Sequence, residues 1–315
     1  MQTKLRIQRF DPEGKVEGQY FQEFTLDIAN SATVLDVLIK IREEIDGSLA
    51  LRCACRASIC GSCSMRVNGR ACLVCKTRVS DIASCGETVT VEPMGNMKVI
   101  KDLVTDMSGF WEKMHSIQPF LQPQGDEPEA EYQVANESMV HLVGVMNCIM
   151  CGACVSDCTV LEVDDDFIGP AALAKAYRFI KDPRDGRTDK RLEFLNEPGG
   201  VWDCTRCMQC VEVCPKDVDP MERIMAMRDM GISTGVRSTP GSRHAQSFVT
   251  SVKKHGRLDE ARLTIDSVGK LNVPVLLEMA PVGIAALTHG KLPIRPHKAE
   301  NKDGIKRIVE DLENE

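Results

Sequence analysis

Cys148-Ile-Met-Cys151-Gly-Ala-Cys154-Val-Ser-Asp-Cys158 and Cys204-Thr-Arg-Cys207-Met-Gln-Cys210-Val-Glu-Val-Cys214-Pro215 share one spacing, C-x2-C-x2-C-x3-C. Three cysteines two residues apart wrap a short loop around one corner of a metal–sulfide cage. The fourth, after a longer gap, leaves on a helix and points elsewhere.

Two such runs in one chain are the signature of a bacterial-type ferredoxin with two clusters, in which the fourth cysteine of each run serves the other cluster. This assigns cluster A to Cys148, Cys151, Cys154 and Cys214, and cluster B to Cys158, Cys204, Cys207 and Cys210. Four thiolates per site argue for two [4Fe-4S] cubanes. Gly152 suits a loop passing close to inorganic sulfide, and Pro215 denies its turn an N–H. Paired C-x2-C elements also bind zinc, but zinc ribbons separate their two pairs by a longer stretch. The unbroken repeat favours cubanes.

Upstream, alternation from Leu5 to Phe10 and from Tyr20 to Ile28 marks two strands around the turn Asp11-Pro-Glu-Gly14. Ser31 and Thr33 are capping candidates for a helix carrying Val34, Val37, Leu38, Ile41 and Ile45. Asn68-Gly69 signals a hairpin between Ser64–Val67 and Ala71–Val74, and Thr88–Glu92 is a further strand. Strand-strand-helix-strand-strand is the order of a β-grasp ferredoxin. Inside it, Cys55-Arg-Ala-Ser-Ile-Cys60-Gly-Ser-Cys63, followed by Cys75, has the plant-type spacing for a [2Fe-2S] cluster. Cys53, Cys72 and Cys85 are left over; Cys53 and Cys72 lie near enough in sequence to substitute for a ligand, though buried or free thiols account for them.

With 315 residues the chain is long enough for two domains, with room for an appendage. Its fifteen cysteines cluster at metal spacing with no apolar leader before them, which points to a reducing compartment. A net charge of −7 and scattered Lys and Arg leave no basic stripe for nucleic acid. Val273 to Leu287, with Pro274, Glu278 and Pro281 interrupting it, is too short to cross a bilayer, so membrane attachment is expected through a partner.

Residues 116–131, rich in Pro, Gln and Glu, form the core of a linker. Beyond it, Pro170 opens a helix with Leu173, Ala176, Tyr177 and Ile180 on one face, and Met221 to Met230 gives another. After Gly235 come a helix from Arg237 to Lys254, the apolar stretch Pro274 to Leu287, and a charged amphipathic helix from Asp303 to Leu312. The expected class is α+β. A β-grasp plant-type ferredoxin domain (1–105) and linker (106–138) precede an all-α two-cluster domain (139–235) and a helical extension (236–315), either a docking element or a self-contained appendage.

One [2Fe-2S] domain followed by a two-cluster domain resembles the iron–sulfur subunit of the succinate dehydrogenase and fumarate reductase family over about residues 1–232. The resemblance also rests on Val99-Ile-Lys-Asp-Leu103, Ser116-Ile-Gln-Pro-Phe120, Gly169-Pro-Ala-Ala-Leu-Ala-Lys-Ala-Tyr-Arg178, Asp182-Pro-Arg-Asp185 and Cys214-Pro-Lys216. Most of that family lacks a cysteine at the position of Cys207 and holds a [3Fe-4S] cluster; Cys207 implies a cubane instead. After Cys158 the family usually carries Pro and an aromatic pair that serves the quinone pocket, where this chain has Thr159-Val-Leu-Glu162. Both departures are similar to the branch whose membrane partner resembles the cysteine-rich subunit of heterodisulfide reductases. Arg243-His244, Lys254-His-Gly-Arg-Leu258 and Gly290-Lys-Leu-Pro293 look like the tail of those enzymes' small iron–sulfur subunit.

The resemblance implies an electron-transfer subunit on the cytoplasmic face of a membrane. Its partners would be an FAD-containing flavoprotein and a membrane anchor or heterodisulfide-reductase-like subunit, with quinone or another membrane-side acceptor at the end. The implied order is flavin, [2Fe-2S], cluster A, cluster B, acceptor. No residue here is expected to catalyse the organic step: no Gly-rich dinucleotide fingerprint follows a strand, the six histidines are dispersed without a partnered nucleophile, and His141 and His289 read as satisfied or solvated histidines rather than bases. The rival readings are a stand-alone electron carrier, the iron–sulfur part of a thiol-driven fumarate reductase or glycolate-oxidase-like enzyme, and a structural zinc protein.

Overall fold

The computed structural model describes residues 2–14, 18–126, 128–235, 239–292 and 297–314. The chain divides into two compact units, Met1–Met227 and Arg228–Glu315. Mixed sheet and helices make the fold α+β.

The first unit opens with β1 (Gln2–Arg9) and β2 (Tyr20–Asp27), then α1 (Val34–Glu44), the hairpin β3 (Ser64–Val67) and β4 (Arg70–Leu73), and β5 (Thr88–Glu92). These strands form one sheet in the order β2-β1-β5-β3-β4. β1 is antiparallel to β2, with Ile7 opposite Gln22, and parallel to β5, with Ile7 opposite Val91. A parallel pair needs a long crossover. The crossover contains α1, whose Val34, Leu38 and Ile41 are fully buried together with Leu5, Ile7, Val89 and Val91 of the sheet. Each such burial is worth roughly 1.5–3 kcal/mol. Of the two capping candidates the structure uses Thr33: its hydroxyl accepts the Asp36 N–H at 3.2 Å while the Asp36 carboxylate accepts the Thr33 N–H at 2.9 Å. Asn68 and Gly69 turn the hairpin with φ of 50° and 78°, the backbone that Asn-Gly favours.

Then follow β6 (Val99–Lys101), β7 (Val104–Thr105), α2 (Ser108–Ser116), α3 (Asn136–Met139), α4 (Ala153–Ser156), α5 (Gly169–Ile180), α6 (Thr188–Asn196), α7 (Gln209–Glu212) and α8 (Pro220–Ser233), which extends past Met227. The sequence pattern gave α5 a single apolar face. In the fold it is buried on nearly every side, with only Lys175 and Arg178 less than fully covered. Residues 117–123, within the stretch read as linker, are tied down. The buried Arg191 guanidinium donates to the carbonyls of Ile117 (2.7 Å), Gln118 (2.9 Å) and Phe120 (3.0 Å) and to the Asp185 carboxylate (3.0 Å).

The second unit contains α9 (Pro240–His255), α10 (Glu260–Val268), α11 (Val273–Thr288) and α12 (Lys302–Asn314). Residues 237–238 of the expected first tail helix lie outside the described residues. The prolines of α11 do not break it. Pro274 occupies the first turn, where an N–H would be unbonded anyway, and Pro281 removes one hydrogen bond from a 16-residue helix. Among the described residues no helix is long and apolar enough to cross a membrane.

Candidate metal centres

The loop after α1 carries Cys55, Cys60 and Cys63, and β4 runs into Cys75. Arg56, Ser58 and Gly61 adopt φ of 54°, 59° and 74°, so the loop curls and aims its amides inward. Three N–H groups converge on Cys55 Sγ, from Ala57 (3.4 Å), Ile59 (3.3 Å) and Cys60 (3.3 Å). Convergent donors of this kind suit an anionic sulfur. Hydrogen bonds from Ser62 and from the loop backbone bring the Cys60 thiol down to about 6. Burial and the neighbouring Cys75 and Cys60 push Cys63 up to about 12. Cys60, Cys63 and Cys75 thus act on one another, and Cys55 and Cys60 do likewise.

Cys148, Cys151, Cys154 and Cys214 line one pocket whose other walls include Ile149, Gly152, Ala171, Ala174, Pro215 and Val218. Half-buried Cys154 is pushed well up, first by burial and then by the charges of Cys151, Cys148, Cys210 and Cys214. Burial also raises Cys151, with Cys148 and Cys214 adding to the effect. Thiols that resist ionisation singly are what an apolar cage produces; a cationic metal core reverses that penalty by taking them as thiolates. Gly152, at φ 80°, lets the loop close beneath three methionine methyls: a Cβ there would lie 2.8 Å from Met94 Cε and 3.1 Å from Met97 Cε, with Met107 Cε at 3.6 Å.

The remaining set is Cys158, Cys204, Cys207 and Cys210. Burial, then the charges of Cys204, Cys207 and Cys158, push Cys210 up to about 12. Cys158 is raised by burial and by Cys207 and Cys204. Cys207, at the surface, differs. Burial raises it, but hydrogen bonds from Thr159, the Gln209 amide and Thr205 outweigh this and leave it lowered; Thr159 Oγ1 donates to its sulfur at 3.5 Å. The donor chemistry of all three sets fits iron–sulfur clusters, thiolate ligands with backbone and hydroxyl donors on the sulfurs.

Among the leftover cysteines, Cys72 lies opposite Met65 in the hairpin and is raised by burial, Cys53 packs beside the sheet core, and Cys85 is exposed with its thiol 3.7 Å from the Gln2 carbonyl. What the cysteine spacing could not reveal is how the sheet holds the helical part. Asn96 Nδ2 donates to the carbonyls of Val155 (2.8 Å), Ser156 (3.3 Å) and Cys158 (2.9 Å), and the Asp157 carboxylate accepts the Ala71 N–H at 2.8 Å. No periodic signal marks such residues.

Residues 4–112 match the family model for a 2Fe-2S iron-sulfur cluster binding domain, and residues 144–218 that for a 4Fe-4S dicluster domain. A chain of the solved structure "Mycobacterium smegmatis Sdh1 complex in the apo form" is 29% identical and superposes with a TM-score of 0.69 over 75% of this chain and 97% of that one. A hypothetical protein from Helicobacter pylori aligns at 12% identity and TM-score 0.49 over 79% of this chain and 43% of its own, too loosely to support an argument. The chain therefore joins two kinds of iron–sulfur electron-transfer domain.

Proposed function

We propose that this chain is the iron–sulfur subunit of a succinate dehydrogenase or fumarate reductase complex, carrying electrons singly between the flavin of a flavoprotein subunit and quinone or a membrane-side acceptor. The observation that carries this reading is the likeness along 97% of a chain from the Mycobacterium smegmatis Sdh1 complex, joined to three sets of four cysteines in one polypeptide.

When bound, iron–sulfur clusters supply one-electron centres that a two-electron flavin can discharge into stepwise. The chain's own residues hold and insulate them. Cys55, Cys60, Cys63 and Cys75 would hold a [2Fe-2S] cluster in a β-grasp domain, with the amides of Ala57, Ile59 and Cys60 offsetting negative charge on sulfur. Cys148, Cys151, Cys154 and Cys214 would hold one [4Fe-4S] cluster in a pocket walled by Ile149, Ala171, Ala174 and Val218. Cys158, Cys204, Cys207 and Cys210 would hold a second, with Cys207 completing the cubane and Thr159 hydrogen-bonded to its thiolate. Thr159-Val-Leu-Glu162 stands where the family usually carries Pro and the aromatic pair that serves the quinone pocket, which favours the branch with a heterodisulfide-reductase-like membrane partner.

The test is metal analysis and low-temperature paramagnetic resonance on the complex purified with its partners, titrated with dithionite. About ten irons per chain and no [3Fe-4S] signal in the undamaged oxidised sample are expected. Far fewer irons after anaerobic reconstitution, or purification as a lone monomer without succinate-dependent acceptor reduction, overturns the assignment.

A further inference from the structure

Two positions that stand far apart in the sequence meet in the fold. Thr159 and Cys207 are separated by 48 residues, and the Thr159 hydroxyl donates to Cys207 Sγ at 3.5 Å. The chain is bent to serve that sulfur. Arg206 and Met208 flank Cys207 with φ of 59° and 68°, and the other cysteine loop repeats the pair at Met150 (54°) and Gly152 (80°). Left-handed backbone costs a residue with a side chain about 1–2 kcal/mol, and it curls successive amides toward an anion.

Around Cys207 the curl presents the Gln209 amide, while Thr205 adds its hydroxyl and Thr159 its own N–H. Two hydroxyls and two amides therefore meet on one sulfur. Cys207 is exposed, whereas Cys158 and Cys210 of the same set are buried. Burial raises both of those thiols, and the donors lower that of Cys207. The set is thus polarised, with its hydrogen-bonded corner at the surface.

Reducing an iron–sulfur cluster adds negative charge that spreads onto its thiolate sulfurs. A donor on one of those sulfurs stabilises the reduced state more than the oxidised one and raises the potential. Water also bonds an exposed sulfur, but a hydroxyl already held in place needs no reordering when the electron arrives. Proline, which the family resemblance leads one to expect at position 159, has neither an N–H nor a hydroxyl and brings neither donor. The two departures from that pattern form one contact. Cys207 adds a thiolate, and Thr159 adds donors that carry its charge.

We infer that Thr159 is a positioning residue for the cluster held by Cys158, Cys204, Cys207 and Cys210, and that its bond to the Cys207 sulfur raises the reduction potential of that cluster alone. This rests on the reading of Cys207 as a ligand. It does not depend on the organic substrate, the acceptor or the partner subunits.

The experiment is a potentiometric titration of the full-length, cluster-loaded chain, followed by low-temperature paramagnetic resonance, in wild type, Thr159→Val and Thr159→Ser. Valine keeps the shape and removes the hydroxyl; serine restores it. Thr159→Val is expected to lower the reduced-to-oxidised ratio of that cluster at a fixed potential by about threefold to tenfold, ~28–59 mV for one electron, and to leave the other two midpoints in place. Thr159→Ser is expected to return to the wild-type midpoint. Thr159→Ala, with a smaller side chain, takes the place of the valine variant if that one loads poorly. An unshifted midpoint beside an intact cubane overturns the inference, as does an equal shift in all the clusters or a serine variant that stays with valine. A [3Fe-4S] signal in the undamaged wild type overturns the ligand reading of Cys207 and the inference with it, so the two failures are told apart.

Discussion

A Cβ added to Gly61 would stand 2.7 Å from Cys151 Cβ, closer than two side-chain carbons approach. The loop bearing Cys60 and Cys63 and the loop bearing Cys151 and Cys154 therefore touch at this point. Only a residue without a side chain permits it, and Gly61 also needs its φ of 74°.

Gly61→Ala is expected to strain the backbone by about 1–2 kcal/mol and to force the two loops apart. A lower Tm and weaker magnetic interaction between the two centres in paramagnetic resonance are the expected outcomes. A variant with wild-type Tm and spectra would show that the contact does not set the spacing.

Removing Cys207 tests its place among the ligands. Cys207→Ala is expected to yield a protein with about one iron fewer and a [3Fe-4S] signal in the oxidised state, because the three other thiols of that set remain. Iron analysis and low-temperature spectra of variant and wild type, prepared anaerobically side by side, check this. An unchanged iron count would move the fourth ligand elsewhere.

Asp102 is almost fully buried and satisfies three donors: Arg9 Nε at 2.9 Å, the Phe10 N–H at 3.1 Å and the Ala50 N–H at 2.8 Å. Asp102→Ala leaves the Phe10 and Ala50 amides and Arg9 Nε without their acceptor while Asp46 still pairs the guanidinium at 2.7 Å, and is expected to cost about 1–3 kcal/mol. Denaturant unfolding of the two proteins measures it. Asp102→Asn, which keeps an oxygen acceptor, should recover part of that loss.

Asp46 gives a pH signature. Hydrogen bonds from Ser48 and Arg9 hold its carboxyl far below the usual range, against a smaller opposing effect of burial. A folded-state pKa below the unfolded one means the stabilisation is present above the unfolded value, near ~4, and is lost as pH falls through the folded one. Asp46→Asn should therefore be less stable than wild type at neutral pH, by about 1 kcal/mol, with the difference shrinking below about pH 4. Melting curves at several pH values decide it, and a gap that stays constant into acid would rule the linkage out.

Arg191 carries the segment from Ile117 to Phe120 on its guanidinium. Arg191→Met takes the guanidinium from the three carbonyls and from Asp185, which keeps only the Arg187 and Gln122 amides. A loss of about 3–5 kcal/mol is expected, together with faster proteolysis between residues 117 and 131. Wild-type resistance to protease would show that other contacts hold the segment.

The strands and α1 were legible because alternation and helical spacing are local patterns: Leu5, Ile7, Val34, Leu38 and Ile41 carry the expected core. The two iron–sulfur domains were legible for a similar reason. A run such as Cys148 to Cys154 places its thiols within one loop, and those thiols act on one another in the fold. The all-round burial of α5 was not legible, since one face of a helix looks the same whether or not the others are also covered.

By itself, then, the sequence determined which residue types recur at the short intervals that strands, helices and cysteine loops require. Tertiary structure alone decided that Asn96 donates to the carbonyls around Ser156, that Arg191 gathers the backbone from Ile117 to Phe120, and that Gly61 meets Cys151. It also decided that no residue of α11 is buried and that Ser247 of α9 meets Asp266 of α10. The physical reason is range. Backbone geometry correlates residues a few positions apart, whereas contacts across tens of residues are selected by how the whole chain fills space, and no interval in the sequence encodes them.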